Sequence, residues 1–180
     1  MQRVLARAAL WVLPASALWA LLPLVASRLG LDSRGYGLLL AALGLGAVAV
    51  ATQLSRIRVR VSPAVLVVAA GLAYGLALVV LAVGRSVPLL VVLLVLAGAG
   101  WTAVLATLNA TAQLILPAWV RARALAVYLL VFQGGQAIGS VVFGFLAGRT
   151  STKVALLAAA AVLVAGTATI RLVRLPDPER

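Results

Sequence analysis

Residues 105–148 read LATLNATAQLILPAWVRARALAVYLLVFQGGQAIGSVVFGFLAG and contain most of the chain's amide side chains. The stretch predicts two apolar helices joined by a short basic loop. Polar side chains are costly inside a lipid bilayer unless they face a protein interior or a wet cavity. We therefore expect these two helices to present their amides to such an interior.

The composition of the whole chain excludes an ordinary soluble domain. The chain has 180 residues, of which 65% are hydrophobic, and a mean hydropathy of +1.21, whereas soluble domains are nearer half apolar. Its 15 basic and 3 acidic residues cluster between apolar runs. This pattern is typical of a polytopic α-helical membrane protein.

The residue types that are missing exclude several kinds of chemistry. The chain has no cysteine and no histidine, and its acids are Asp32, Asp177 and Glu179. It therefore lacks the ligands of a catalytic zinc site and the base of a histidine-dependent triad. We expect no catalytic residue, no metal, no cofactor and no enzyme activity. The net charge of +12 is explained by basic residues that flank membrane spans, so no nucleic-acid partner is expected.

Six apolar runs predict an all-α protein that forms a single bundle of six transmembrane helices. A span needs about 20 residues to cross a hydrocarbon core of about 30 Å. Short basic loops are expected at 55–60 and 119–123, and a polar cytoplasmic tail at 171–180. The predicted spans are 8–27, 37–54, 63–83, 87–108, 124–147 and 154–170.

The first apolar run has a competing interpretation as a cleaved signal peptide. Arg3 and Arg7 precede an apolar stretch that contains the small residues Ala-Ser-Ala at 15–17. Pro14 and the apolar residues beyond 17 favour a membrane span instead.

The basic residues predict the orientation of the bundle. With six spans both termini lie on one side, and ten of the 15 basic residues lie on that side. Because basic residues are enriched in cytoplasmic loops, we expect both termini in the cytoplasm and the protein in the cell (inner) membrane.

Polar residues fall on single faces of three spans. At 100° per residue, Thr102, Asn109 and Gln113 of the fourth span fall within about 40° of one face. Gln133, Gln136 and Ser140 of the fifth span fall within about 60° by the same rule. These faces predict a shared aqueous cavity that binds substrate, although hydrogen bonding between packed helices is the alternative. The candidate cavity-lining residues are Ser16, Trp19, Thr102, Asn109, Gln113, Gln133, Gln136 and Ser140.

Glycines recur at spacings of four in the fifth span. Gly135 with Gly139, and Gly144 with Gly148, form two small-xxx-small pairs, which allow two helices to approach closely. We expect close packing at both pairs, and a role for this helix in gating is a further hypothesis.

An internal echo suggests a three-plus-three inverted repeat. Leu-Pro at 22–23, arginines and Tyr36 are matched by Leu-Pro at 116–117, arginines and Tyr128. Such repeats occur in secondary transporters.

Two stretches resemble a known family. Residues 107–149, TLNATAQLILPAWVRARALAVYLLVFQGGQAIGSVVFGFLAGR, are similar to the tenth and eleventh helices of major facilitator superfamily transporters. Residues 9–48, ALWVLPASALWALLPLVASRLGLDSRGYGLLLAALGLGAV, are similar to the seventh and eighth helices of the enterobactin-exporter-like branch. Residues 55–62 depart from the family, because its loop motif has an acid and glycines where this chain has arginines.

The resemblance implies that the chain is the C-terminal six-helix half of a twelve-helix transporter. In the family the first, second, fourth and fifth helices of each half face the cavity. The implied function is efflux of small amphipathic molecules by alternating access. The implied partners are the lipid bilayer, a small-molecule substrate, and a complementary N-terminal half or a second copy of the chain. A truncated gene fragment and a membrane scaffold are the alternative hypotheses.

Overall fold

A computed structural model describes residues 2–114 and 117–168, and in these residues the chain forms helices without strands. The all-helical prediction is therefore confirmed. The helices are α1 (Gln2–Arg28), α2 (Ser33–Arg60), α3 (Pro63–Val83), α4 (Val87–Leu114), α5 (Ala118–Arg149) and α6 (Thr152–Ala168).

Five of the six helices are long and apolar enough to cross a membrane. α6 is shorter, with an apolar segment at Thr152–Thr167. The predicted end of the sixth span at residue 170 and the predicted tail at 171–180 lie outside the described residues. The chain is thus a polytopic membrane protein, and its sixth crossing stays a prediction.

Both basic loops predicted from the sequence are wrong, because the residues are helical. α2 continues through 55–60 and ends at Arg60, and α5 already begins at Ala118, before 119–123. Arginine is a good helix former, and a cation near a helix C-terminus interacts favourably with the helix dipole. Arg58 also folds back onto α4, where its Nη2 donates a hydrogen bond to Thr107 Oγ1 at 3.4 Å.

Side-chain caps start α2 and α3. Asp32 Oδ1 accepts a hydrogen bond from the Gly35 amide at 2.8 Å, and Ser62 Oγ accepts one from Val65 at 3.4 Å. Each satisfies one of the amides that a helix start leaves unpaired. Gly30, at φ +68°, lets the chain turn between α1 and α2. These short connections make consecutive helices antiparallel.

The helices pack as an arc in the order α5, α1, α6, α3, α4, α2. Each neighbouring pair in this order is extensively packed, whereas α4 and α5 touch only briefly and α2 hardly touches α1. The ends of the arc are correspondingly uncovered: within one apolar 18-residue segment of each helix, 17% of the residues of α5 and 28% of those of α2 are buried, against 61% for α1. The arc therefore leaves a gap between α5 and the α2–α4 pair.

α2 and α4 meet backbone to backbone through one glycine from each helix. A Cβ atom on Gly46 would overlap the carbonyl oxygen of Val95, and a Cβ atom on Gly98 would overlap that of Leu43. Within lipid, where helices gain little from the hydrophobic effect, such close packing is a main source of association. The reciprocal pair fixes how closely α2 lies against α4.

We predict that Gly98→Ala destabilises the bundle, because the new methyl group pushes α2 away from α4. Overpacking of this kind costs about 1–3 kcal/mol. Thermal unfolding of the detergent-purified protein should show a clearly lower Tm. Gly44→Ala is the matched control, since a Cβ atom at Gly44 has nothing within 4 Å. Equal Tm values for the two variants would contradict the close contact.

Candidate functional site

A cleft of about 350 Å³ lies between α1, α4 and α5, where the arc is least closed. α1 provides one side chain, α4 two and α5 four. We call it the aromatic–amide cleft, and its lining residues are Trp19, Trp101, Leu105, Leu129, Phe132, Gln133 and Gln136.

Trp101 is the centre of the aromatic wall of this cleft. Its ring centroid lies 5.6 Å from that of Trp19 and 5.6 Å from that of Phe132, both in edge-to-face arrangements. Behind the cleft it lies 5.2 Å from the buried ring of Trp11. Edge-to-face pairs stabilise by about 0.5–1.5 kcal/mol beyond their buried area. The wall is therefore held in place by its own ring contacts.

A buried tyrosine braces the helix that carries Trp19. The Tyr74 hydroxyl of α3 donates a hydrogen bond to the Ala15 carbonyl of α1 at 3.0 Å, and its ring contacts Trp11 at 5.4 Å. Tyr74 is fully buried. Tyr74 therefore supports α1 from behind the cleft and does not line the cleft itself.

The two glutamines that were predicted to bind substrate lie in the cleft together with Trp19. Gln133 is exposed and Gln136 half-buried. Neither amide makes a hydrogen bond to another residue of 2–114 and 117–168. Their donors and acceptors are therefore available to a bound molecule.

The helical fold agrees with a comparison to known protein families. The sequence profile of the major facilitator superfamily family described as "transmembrane secretion effector" matches residues 1–180. The chain belongs to this family. A search of curated proteins finds no match. Family membership identifies the chain as a multi-pass membrane protein of a transporter family, which lies in a lipid bilayer.

The other polar residues that were predicted to bind substrate do not line the cleft. Gln113 Nε2 donates a hydrogen bond to Asn109 Oδ1 at 2.8 Å. Both follow Trp101 and Leu105 at intervals of four residues, so they continue the same side of α4 beyond the cleft. Thr102 and Ser140 are half-buried and are not among the residues that line it.

Ser16 fits the alternative interpretation, in which polar side chains form hydrogen bonds within packed helices and do not line a cavity. Its side chain is buried, and its Oγ donates to the Leu13 carbonyl of its own helix at 2.7 Å. A Cβ atom on Gly139 would overlap both Ser16 Oγ and the Leu13 carbonyl oxygen. Ser16 therefore lies in the contact between α1 and α5.

The two glycine pairs of α5 have different surroundings. A Cβ atom on Gly135 would come within 2.7 Å of Val12, so Gly135 and Gly139 bring α5 close to α1. Gly144 and Gly148 have nothing within 4 Å in the described part of the chain. The close approach predicted for the second pair is not made by the described helices.

Metal binding finds no support in the described residues. Over 2–114 and 117–168 there is no group of three or more histidine, cysteine, aspartate or glutamate side chains that could hold an ion. The chemistry available in the cleft is that of aromatic and aliphatic surface with two amides and the indole N–H groups.

We predict that Trp101→Leu lowers the free energy of unfolding by about 2 kcal/mol, because its edge-to-face contacts are lost. Trp119→Leu is the control, since Trp119 is 85% exposed. Unfolding of the purified protein by a denaturing detergent gives both values. Similar losses for the two variants would show that the ring cluster does not stabilise the bundle.

Proposed function

We propose that the chain is the C-terminal six-helix half of a transporter that exports small amphipathic molecules by alternating access. The resemblance to the enterobactin-exporter-like branch motivates this assignment. The observation that carries it is the aromatic–amide cleft, which places Trp19, Gln133 and Gln136 at the gap in the helix arc. Substrate would thus contact the side of the bundle that no other described helix covers.

The lining of the cleft indicates the class of substrate. Trp19, Trp101 and Phe132 offer flat apolar surface, while Gln133 and Gln136 offer donors and acceptors without a fixed charge. A few polar groups among apolar walls are typical of small-molecule sites. We infer that the substrate is neutral or weakly polar and carries an apolar body.

The remaining predicted polar residues extend this surface. Asn109 and Gln113 lie further along the same side of α4, and Thr102 and Ser140 lie half-buried on the neighbouring turns. We propose that they contact substrate as it moves along the gap, whereas Ser16 keeps α1 and α5 together.

A second six-helix unit is proposed to cover the ends of the arc. The large apolar residues Leu45 of α2 and Phe145 of α5 are each 63% exposed. Beside them Gly44 and Gly144 have no neighbour within 4 Å. Small residues let a partner helix approach closely. We propose that a complementary N-terminal half, or a second copy of the chain, packs there.

Energy coupling would then depend on the partner. No aspartate or glutamate lies in a predicted span, and the Asp32 carboxylate caps the start of α2. A carboxylate that binds and releases a proton within the membrane would therefore come from the other half.

Efflux measurements test the proposed function. We predict that cells which express this chain with a complementary N-terminal half export amphipathic fluorescent dyes. Export by the chain expressed alone would indicate that a second copy serves as the partner. The double variant Gln133→Leu, Gln136→Leu should export about tenfold more slowly, since two lost hydrogen bonds are together worth about 1.4 kcal/mol. Gln53→Leu, at an exposed position of α2, is the control.

The outcomes separate the alternative functions. Absence of efflux with every partner, despite normal insertion, would favour a gene fragment. A stable complex whose Tm does not respond to any dye would favour a scaffold. Unchanged efflux in the double variant would exclude the cleft as the binding site.

Cysteine labelling tests the proposed orientation, because the chain has no natural cysteine. With both termini in the cytoplasm, Ser86→Cys should react with a membrane-impermeant maleimide in intact cells. Arg60→Cys should react only after the membrane is permeabilised. Both side chains are exposed in the structure. The reverse pattern would place the termini outside.

A further inference from the structure

A second cleft, of about 550 Å³, lies at the end of the bundle where α1 and α3 end and α6 begins. We call it the basic cleft. It combines three basic side chains with an apolar wall and shares no lining residue with the aromatic–amide cleft. Its lining residues are Arg28, Leu29, Ala82, Val83, Gly84, Arg85 and Lys153.

Arg28 is fixed in this cleft by the carbonyl groups at the end of α3. Its Nη1 donates to Ala82 at 2.7 Å, and its Nη2 donates to Leu81 at 2.7 Å and to Gly84 at 3.3 Å. The end of a helix leaves carbonyl groups unpaired, and a cation there is favourable. The guanidinium therefore caps the C-terminal end of α3, and its positive charge remains at the wall of the cleft.

The other two basic residues have no carboxylate near them. Arg85 and Lys153 are exposed and make no ion pair or hydrogen bond within residues 2–114 and 117–168. The one acid among those residues is Asp32, whose carboxylate accepts the Gly35 amide at the start of α2. Three cations thus line one concave site, which favours an anion.

The apolar side of the cleft continues into the membrane-facing surface of α3. Four exposed residues follow one another at helical spacing, so they form a stripe that leads from the cleft along α3. A soluble anion would leave this stripe unused, whereas an acyl chain would lie along it. The stripe consists of Val83, Val79, Leu76 and Leu72.

We propose that the basic cleft binds the phosphodiester headgroup of an anionic phospholipid, with an acyl chain along the stripe of α3. Arg85 and Lys153 bind the phosphate oxygens, and Arg28 adds positive charge from the wall. Basic pockets between transmembrane helices hold anionic headgroups on the cytoplasmic side of membranes. With both termini in the cytoplasm, as proposed above, this cleft would use the same chemistry at the outer leaflet. Arg85 lies in the connection between α3 and α4, and Lys153 lies in the first turn of α6. The bound lipid would therefore link this connection to the start of α6.

The test measures the affinity for phosphatidylglycerol in detergent. The purified chain is unfolded thermally at increasing phosphatidylglycerol, with phosphatidylcholine as the zwitterionic lipid. Ligands that bind the folded state raise the Tm saturably. We expect this rise with phosphatidylglycerol alone. In the double variant Arg85→Gln, Lys153→Gln the apparent Kd should rise about thirtyfold, as expected for the loss of two basic groups near an anionic headgroup.

The matched control removes the same charge from the same end of the bundle. Arg34 and Arg149 are exposed and do not line the cleft, so Arg34→Gln, Arg149→Gln should change the Kd less than about twofold. Arg28 is left unchanged in both double variants because it caps the C-terminal end of α3. If the cleft double variant does not fold, Lys153→Gln alone should raise the Kd about fivefold.

Three results would overturn the proposal. The wild-type Tm could be insensitive to phosphatidylglycerol. The cleft and control variants could lose affinity equally, which would indicate general surface charge. Soluble glycerol 3-phosphate could raise the Tm at the same concentrations as the lipid, which would indicate a free-anion site.

Discussion

Close contact between backbones at glycine is the constraint on which the rest of the structure depends. In lipid, helices associate through packing and not through the burial of apolar surface. Gly46 and Gly98 bring α2 onto α4, and Gly139 brings α5 onto α1. The tightly packed α2–α4 pair makes little contact with the tightly packed α1–α5 pair, since α4 and α5 touch only briefly. The aromatic–amide cleft is the space that this arrangement leaves.

The aromatic residues serve both the stability of the bundle and the candidate site. Trp101 contacts Trp11 on its inner side and contributes to the cleft wall together with Phe132. Tyr74 binds the backbone of α1 from behind. The position of the wall therefore depends also on Trp11 and Tyr74, two buried rings that do not line the cleft. A substitution in the buried rings should consequently alter binding as well as folding.

Much of the fold could be predicted from the sequence, but the ends of the helices and part of the site could not. Apolar runs mark the spans, yet α2 does not end where its apolar run ends but continues through the arginines at 55–60 to Arg60. The helical face of the amides predicted Gln133 and Gln136, whereas Trp101 was not predicted because only amide and hydroxyl residues of the fourth span were placed on a face. A face of that span that included aromatic residues would have found it. The bond from Ser16 to Leu13, which is local to one helix, could not be predicted from the spacing.

The length of α2 has a mechanical consequence for a bundle that rocks. Arg60 lies 14 residues beyond Gly46, where α2 is pinned to α4, so the rigid rod extends about 21 Å from that point. A tilt of about 10° there displaces the arginine-bearing tip by about 4 Å. In a bundle that rocked about this point, α2 would act as a lever that converts a small rotation inside the bilayer into a larger movement of charge at its surface.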